Sequence, residues 1–141
     1  MKKVLIFGTF DLLHAGHIEF IKKAKEMGDY LIVILNSDKS IEKRKGRKPI
    51  FIYSERKKIL SAIKFIDEII AGPNKETLDS INNLIQRIVP DVIVLSSKQK
   101  VNKREIDDLK KRGIFPKIRI IKATKKYKYS SSKIKELAEL I

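Results

Sequence analysis

The fold of this chain is decided by ten consecutive residues near its start, Gly8-Thr9-Phe10-Asp11-Leu12-Leu13-His14-Ala15-Gly16-His17. They follow an apolar run at residues 4–7 and precede an amphipathic stretch that begins at Ile18. This order predicts a buried strand, a tight loop and then a helix. A helix N-terminus presents unpaired N–H groups and the positive end of the helix dipole, and both attract anions. The segment therefore predicts a binding site for a phosphate chain.

The protein has only two histidines, His14 and His17, and both lie in this segment. Side chains three residues apart lie on one face of a helix, so we expect the two imidazoles to lie together. Gly16 between them allows the backbone to approach a ligand closely. The alternatives are a purely structural histidine pair, or a metal site in which Asp11 is the only nearby third ligand. The surrounding residues favour phosphate binding over both.

Composition limits the class of protein. The chain has 141 residues, which predicts a single domain over residues 1–141. Its apolar runs are too short to cross a membrane or to form a signal peptide. It has no cysteine, which excludes disulfides, thiolate zinc sites and cysteine nucleophiles. A cytoplasmic protein without a membrane segment is therefore expected.

The charge is strongly positive, with 32 Lys and Arg against 17 Asp and Glu, a formal net charge of +15. Such an excess is typical of nucleic-acid binders, and it also suits an enzyme with small anionic substrates. The aromatic residues lie mostly within apolar patterns and form no array on which bases would stack. The charge therefore favours an enzyme with a small anionic substrate. The alternative is that the protein is not an enzyme but a basic nucleic-acid-binding module.

Strand and helix patterns alternate along the whole chain. Short apolar runs predict strands at residues 4–7, 30–35, 68–71, 91–95 and 117–122. Patterns of helical period lie between and after them, at residues 16–26, 54–64, 77–88, 102–113 and 131–140. For two of these helices the sequence also predicts the cap, Ser54 in one and an Asn102–Glu105 capping box in the other. The alternation predicts an α/β, Rossmann-like, three-layer fold with a central parallel sheet of about five strands and helices on both faces.

Ligands of parallel sheets bind beyond the carboxyl ends of the strands. This rule brings the two histidines, residues 96–99 and residues 122–132 to one crevice. The serine cluster at residues 130–132 begins the last predicted helix and offers a second phosphate nest, or an ordinary helix cap.

The segment Gly8–His17 resembles the HxGH signature of the nucleotidyltransferase superfamily, in its cytidylyltransferase-like branch. Three further stretches carry the same resemblance, KRKGRKP at 43–49, SERK at 54–57 and SSSKI at 130–134. The resemblance implies that both histidines contact the triphosphate of a bound nucleoside triphosphate. It also implies that a nucleoside monophosphate is joined to a phosphorylated acceptor with release of pyrophosphate. A divalent metal, Mg²⁺, and a homodimer are expected with this chemistry.

The resemblance implies roles for individual residues. Catalytic roles go to His14, His17 and Lys45. Nucleotide-binding roles go to Thr9, Phe10, His14, Ala15, Gly16, His17, Tyr127, Ser130, Ser131 and Ser132. Lys98, which departs from the family pattern, is added to them as a candidate phosphate contact. Acceptor-binding roles go to Asp11, Lys43 and Arg56, and no residue is implied as a metal ligand. Five of these have plainer alternatives: core packing for Phe10, loop capping for Asp11, a solvated loop for Lys43 and Lys45 in the basic run, and a surface position for Arg56.

Relatives usually carry a Gly and an Asp in the loop that here reads Ser96-Ser97-Lys98-Gln99, and that Asp helps to hold the nucleotide. Lys98 reverses this charge, which leaves the choice of nucleotide open and offers a phosphate contact instead. The tyrosine followed by SSS, the KGRKP run and GDYLIV at 28–33 are similar to archaeal FAD synthases. This similarity implies that ATP and FMN are joined to FAD, with Phe51, Tyr127 and Tyr129 as candidate walls for the flavin ring. The alternatives are a glycerol-3-phosphate cytidylyltransferase and a sugar-phosphate adenylyltransferase.

Overall fold

The computed structural model describes residues 1–100, 102–122 and 136–139. Strands and helices alternate in it, in the order β1 (Lys3–Gly8), α1 (Ala15–Lys25), β2 (Tyr30–Leu35), α2 (Asp38–Lys45), α3 (Tyr53–Ser61), β3 (Glu68–Ala71), α4 (Leu78–Ile88), β4 (Val92–Ser96), α5 (Lys103–Lys111) and β5 (Lys117–Ile121). Residues 136–139 are also helical. None of the described helices is long and apolar enough to span a bilayer.

The five strands form one parallel sheet in the order β3-β2-β1-β4-β5. The central strand β1 pairs with β2 along its whole length, from Lys3 beside Tyr30 to Gly8 beside Leu35. On its other side β1 pairs with β4. The chain changes direction across the sheet between β1 and β4, and a crevice opens at such a switch point beyond the carboxyl ends of the strands. The predicted α/β fold with five parallel strands is confirmed.

Two separate apolar clusters lie on the two faces of the sheet. The strand β2 contributes to both, since Leu31 and Leu35 belong to one cluster and Ile32 and Ile34 to the other. Helices α1 and α3 supply the first cluster, and helices α4 and α5 supply the second. The apolar run of β2 is therefore explained by burial on both faces, which is the rule for parallel sheets. The predicted three-layer arrangement is confirmed as well.

Of the two predicted helix caps, Ser54 is wrong, whereas Asn102 is the N-cap residue of α5 but forms no capping box with Glu105. Helix α3 begins at Tyr53 and ends at Ser61, so Ser54 lies inside its first turn. The Tyr53 N–H donates at 3.1 Å to the Asp38 carboxylate, so the cap comes from α2 and not from a local residue. In α5 the Asn102 side chain accepts from the Arg104 N–H at 3.0 Å, one residue earlier than a capping box with Glu105 requires.

Candidate active site

The two histidines cap the N-terminus of α1 reciprocally. His14 is the N-cap residue, and its Nδ1 accepts the Gly16 N–H at 3.1 Å. His17 lies three residues later, and its Nδ1 accepts the His14 N–H at 3.2 Å. The two rings stack with their centroids 3.8 Å apart and their planes 28° from parallel. This is the pattern of a capping box built from two imidazoles.

The capping bonds determine where each imidazole carries its proton. An Nδ1 that accepts a hydrogen bond carries no hydrogen, so each neutral ring is protonated at Nε2. Burial, then the charges of His14 and Lys98, lower the pKa of His17 to about 4. Burial and then the Lys98 charge also lower the pKa of His14. At neutral pH the pair therefore offers two neutral Nε2–H donors, as phosphate oxygens require.

We expect the folding stability to fall as the pH is lowered from about 6.5 to about 4. In that window His17 is protonated in the unfolded chain but stays neutral in the folded one, so the unfolded chain binds more protons and stability rises with pH. Protonation of its Nδ1 also removes the acceptor for the His14 N–H. The melting temperature across this range, with NMR titration of the two imidazoles, measures the effect. Titration of both rings near pH 6.5 would contradict it.

Glycines make room for the rings around this pair. A Cβ at Gly16 would lie 2.9 Å from Cε1 of His14, so this glycine accommodates the imidazole itself. A Cβ at Gly8 would overlap the ring of Phe10. That ring is buried in the core and meets the His17 ring edge to face at 5.4 Å. The core alternative therefore holds for the Phe10 side chain, and only its backbone is left to contact a nucleotide.

The loop between β1 and α1 is held in an unfavourable backbone conformation. Phe10 and Leu12 have φ values of +48° and +51°, in the left-handed region. This conformation costs about 1 kcal/mol or more at each non-glycine residue, so the surrounding structure must compensate. Asp11 between them is buried, and its two carboxylate oxygens accept the N–H groups of Ile50 at 2.8 Å and Phe51 at 3.0 Å. Asp11 thus anchors the loop to the segment before α3.

The Thr9 hydroxyl accepts hydrogen bonds from two side chains that were not predicted to lie at the site. Its Oγ1 accepts from Nδ2 of Asn36 at 3.0 Å and from Nη2 of Arg44 at 3.2 Å. A hydroxyl has two acceptor lone pairs and one donor hydrogen, so these two accepted bonds do not use the hydrogen of the Thr9 hydroxyl. Both residues could have been predicted from the sequence. Asn36 directly follows an apolar run that predicts a buried parallel strand, and Arg44 lies within the basic run.

Arg56 lies beneath the loop. Its side chain is 0% exposed, so the surface alternative is wrong. Its Nε donates to the Phe51 carbonyl at 2.9 Å, its Nη1 to the Thr9 carbonyl at 2.9 Å and its Nη2 to Asp38 at 2.7 Å. These three bonds go to the protein itself, and they join the loop after β1 to α2 and α3.

The loop after β4 approaches the same site. Gln99 donates to the Phe7 carbonyl of β1 at 3.1 Å and accepts the Ser96 N–H at 3.0 Å. These bonds tie the turn to the end of β1, and the charge of Lys98 is near enough to both imidazoles to lower their pKa values. The structure therefore brings Lys98 and the histidines together, as the sheet topology predicted.

The other predicted residues divide into two groups. Lys43 and Lys45 are exposed in the last turn of α2, and Ala15 is exposed at the start of α1. Tyr127, Tyr129, Ser130, Ser131 and Ser132 lie outside the described residues. Within the described part of the chain, no three His, Cys, Asp or Glu side chains lie close enough together to hold a metal ion.

Comparison with known families agrees with this geometry. The family model described as cytidylyltransferase-like matches residues 5–137. This chain belongs to the cytidylyltransferase-like family. The resemblance predicted from the HxGH segment is thereby confirmed, and with it the prediction of a nucleotidyltransferase enzyme.

Several proteins resemble this cytidylyltransferase-like chain along nearly its whole length. The FAD synthase of Pyrococcus horikoshii is 39% identical over 142 residues, covering 99% of this chain and 91% of that protein. The FAD synthase of Thermococcus sibiricus is 41% identical over 135 residues, covering 94% and 88%. The solved structure of the lipopolysaccharide core biosynthesis protein from Thermoplasma volcanium superposes with a TM-score of 0.77 at 33% identity, covering 88% of this chain and 98% of that one.

Proposed function

We propose that this chain transfers AMP from ATP to FMN, forming FAD and pyrophosphate. The observation that carries the proposal is the histidine pair, which presents two neutral Nε2–H donors at the N-terminus of α1. The proposal is supported by the identity of 39% with a FAD synthase over nearly the whole chain. The sequence resemblance predicted the same reaction.

The reaction requires one displacement at phosphorus. A phosphate oxygen of FMN attacks the α-phosphorus of ATP, the bond from that phosphorus to the bridging oxygen breaks, and pyrophosphate leaves with the electron pair. The protein positions the two phosphates and stabilises charge on the leaving oxygens. In this proposal His14 and His17 donate through Nε2–H, and the Thr9 hydroxyl donates its remaining hydrogen.

The backbone N–H groups and the cations have complementary roles in this proposal. The Gly16 N–H is already donated to His14, so Ala15 is the backbone donor that we assign to the triphosphate. Lys98 contributes positive charge near the histidines, and Arg44 contributes it at Thr9. Lys45 is assigned to the reacting phosphates, and Lys43 to the phosphate of the acceptor.

A divalent ion, Mg²⁺, would enter with ATP, since Mg²⁺ is commonly held by substrate phosphates rather than by a cage of protein ligands. When bound it neutralises phosphate charge. The proposal therefore assigns the ion no protein ligand among the described residues. A homodimer and a cytoplasmic location remain predictions from the sequence.

A substrate panel tests the function. ATP or CTP is combined with FMN, glycerol 3-phosphate or a sugar 1-phosphate in the presence of Mg²⁺, and pyrophosphate and FAD are measured. We expect FAD only from ATP and FMN. The His14→Asn variant prepared in parallel should form it roughly a hundredfold or more slowly, which controls for contaminating enzymes. Pyrophosphate release with a sugar phosphate, without a flavin product, would establish the second candidate function. The similarity to the Thermoplasma volcanium protein favours that candidate, since a lipopolysaccharide core contains sugars.

A further inference from the structure

Two exposed isoleucines lie beside the loop between β1 and α1, which carries the histidine pair. The side chains of Ile50 and Ile52 are 53% and 55% exposed, on either side of the half-buried Phe51. Single exposed apolar residues are common on protein surfaces and need no explanation. These two are separated only by Phe51, and they belong to the segment that Asp11 bonds to the loop of the histidines.

The backbone that carries them is fixed by charged side chains. Asp11 accepts the N–H groups of Ile50 and Phe51, and the buried Arg56 donates to the Phe51 carbonyl. The next helix begins directly afterwards, at Tyr53. Surface segments are usually mobile, whereas the backbone of this segment is held by hydrogen bonds to both its N–H and its carbonyl groups. A preorganised apolar surface loses little conformational entropy when it binds a ligand.

We propose that Ile50 and Ile52 form the surface against which the flat ring of the acceptor lies. This inference rests on the proposed function, in which the acceptor carries both a phosphate and a large aromatic ring. The phosphate must reach the loop of the two histidines, while the ring needs an apolar wall nearby. Asp11 connects these two requirements, because it belongs to that loop and also holds the isoleucine segment. The wall thus includes residues next to Phe51 that the sequence analysis did not select.

Flavin fluorescence tests this surface without turnover. FMN and riboflavin, which share the ring but differ in the phosphate, are titrated with the protein in the absence of ATP. We expect Ile50→Ser and Ile52→Ser each to weaken the binding of both flavins by roughly tenfold, since each change removes apolar contact area. The affinity for ATP should not change. The matched control is Ile59→Ser, an isoleucine on α3 that is 40% exposed.

The outcomes separate this inference from the proposed function. Equal FMN affinities in the wild type and both serine variants would overturn the ring surface and leave the FAD synthase proposal standing. A wild-type protein that binds no flavin but releases pyrophosphate with another acceptor would overturn both. Light scattering measures the oligomeric state of the same variants. If the wild type is a dimer and the serine variants are monomers that bind FMN as before, the isoleucines contact a second copy of the chain. The inference would then be wrong.

Discussion

Replacing His14 by Asn, or His17 by Gln, should lower kcat/KM by about two to four orders of magnitude while the protein stays folded. Asn is a good N-cap residue, and Gln at the third helical position completes a capping box. Both substitutions therefore keep the helix-capping role of the imidazoles. Each one removes the rigid ring that holds Nε2–H in a fixed direction, and the amide N–H₂ that takes its place lies at a different position. Steady-state kinetics with pyrophosphate release, alongside urea denaturation, measures the two properties separately.

The corresponding Ala variants are the control for this design. His14→Ala and His17→Ala lose the donor and the cap together, so they should show the same loss of activity plus a loss of about 1 kcal/mol in stability. If the Asn and Gln variants kept wild-type turnover while the Ala variants lost it, the histidines would act only through the helix. The phosphate role proposed for them would then be wrong.

Replacing Arg56 by Met should lower the free energy of unfolding by about 3 kcal/mol. The guanidinium is 0% exposed, and its loss leaves the carbonyls of Thr9 and Phe51 without these donors. This loss of stability lies at the lower end of the range for breaking a buried salt bridge. The reason is that Asp38, the partner of Arg56, is 38% exposed, so water can solvate its carboxylate. Urea denaturation followed by circular dichroism gives the value.

The matched control is Arg44→Met. Arg44 also donates to Thr9, but its side chain is 46% exposed, so its removal should cost less than about 1 kcal/mol. The Arg56→Lys variant should fall between the two, because an ammonium keeps the charge but does not reproduce the fixed fork of a guanidinium. Equal destabilisation by both Met variants would show that burial of Arg56 contributes nothing to stability.

Local patterns were sufficient for the fold. The strands β2 and β3 span the residues that their apolar runs predicted, Tyr30–Leu35 and Glu68–Ala71. A strand that is buried on both faces of the sheet has a continuous apolar run in its sequence. Such a run can be recognised without any knowledge of distant residues. The alternation of strands with helices then limits the topology to a parallel sheet with right-handed crossovers. The residues Gly8–His17 identified the family for the same reason, because a site built from consecutive residues is visible in the sequence.

The roles of the charged residues around that segment depended on tertiary structure. Asp11 and Arg56 were expected at the acceptor, but both bond to distant backbone groups. Asp11 accepts the N–H groups of Ile50 and Phe51, 39 and 40 residues away, and Arg56 donates to the carbonyl of Thr9, 47 residues away. Asp38, which the sequence did not select, caps α3 and pairs with Arg56. The sequence by itself determined the fold, the family and the histidine pair. Only the folded chain decided which charged side chains satisfy buried backbone groups, because that depends on groups brought together from distant parts of the chain.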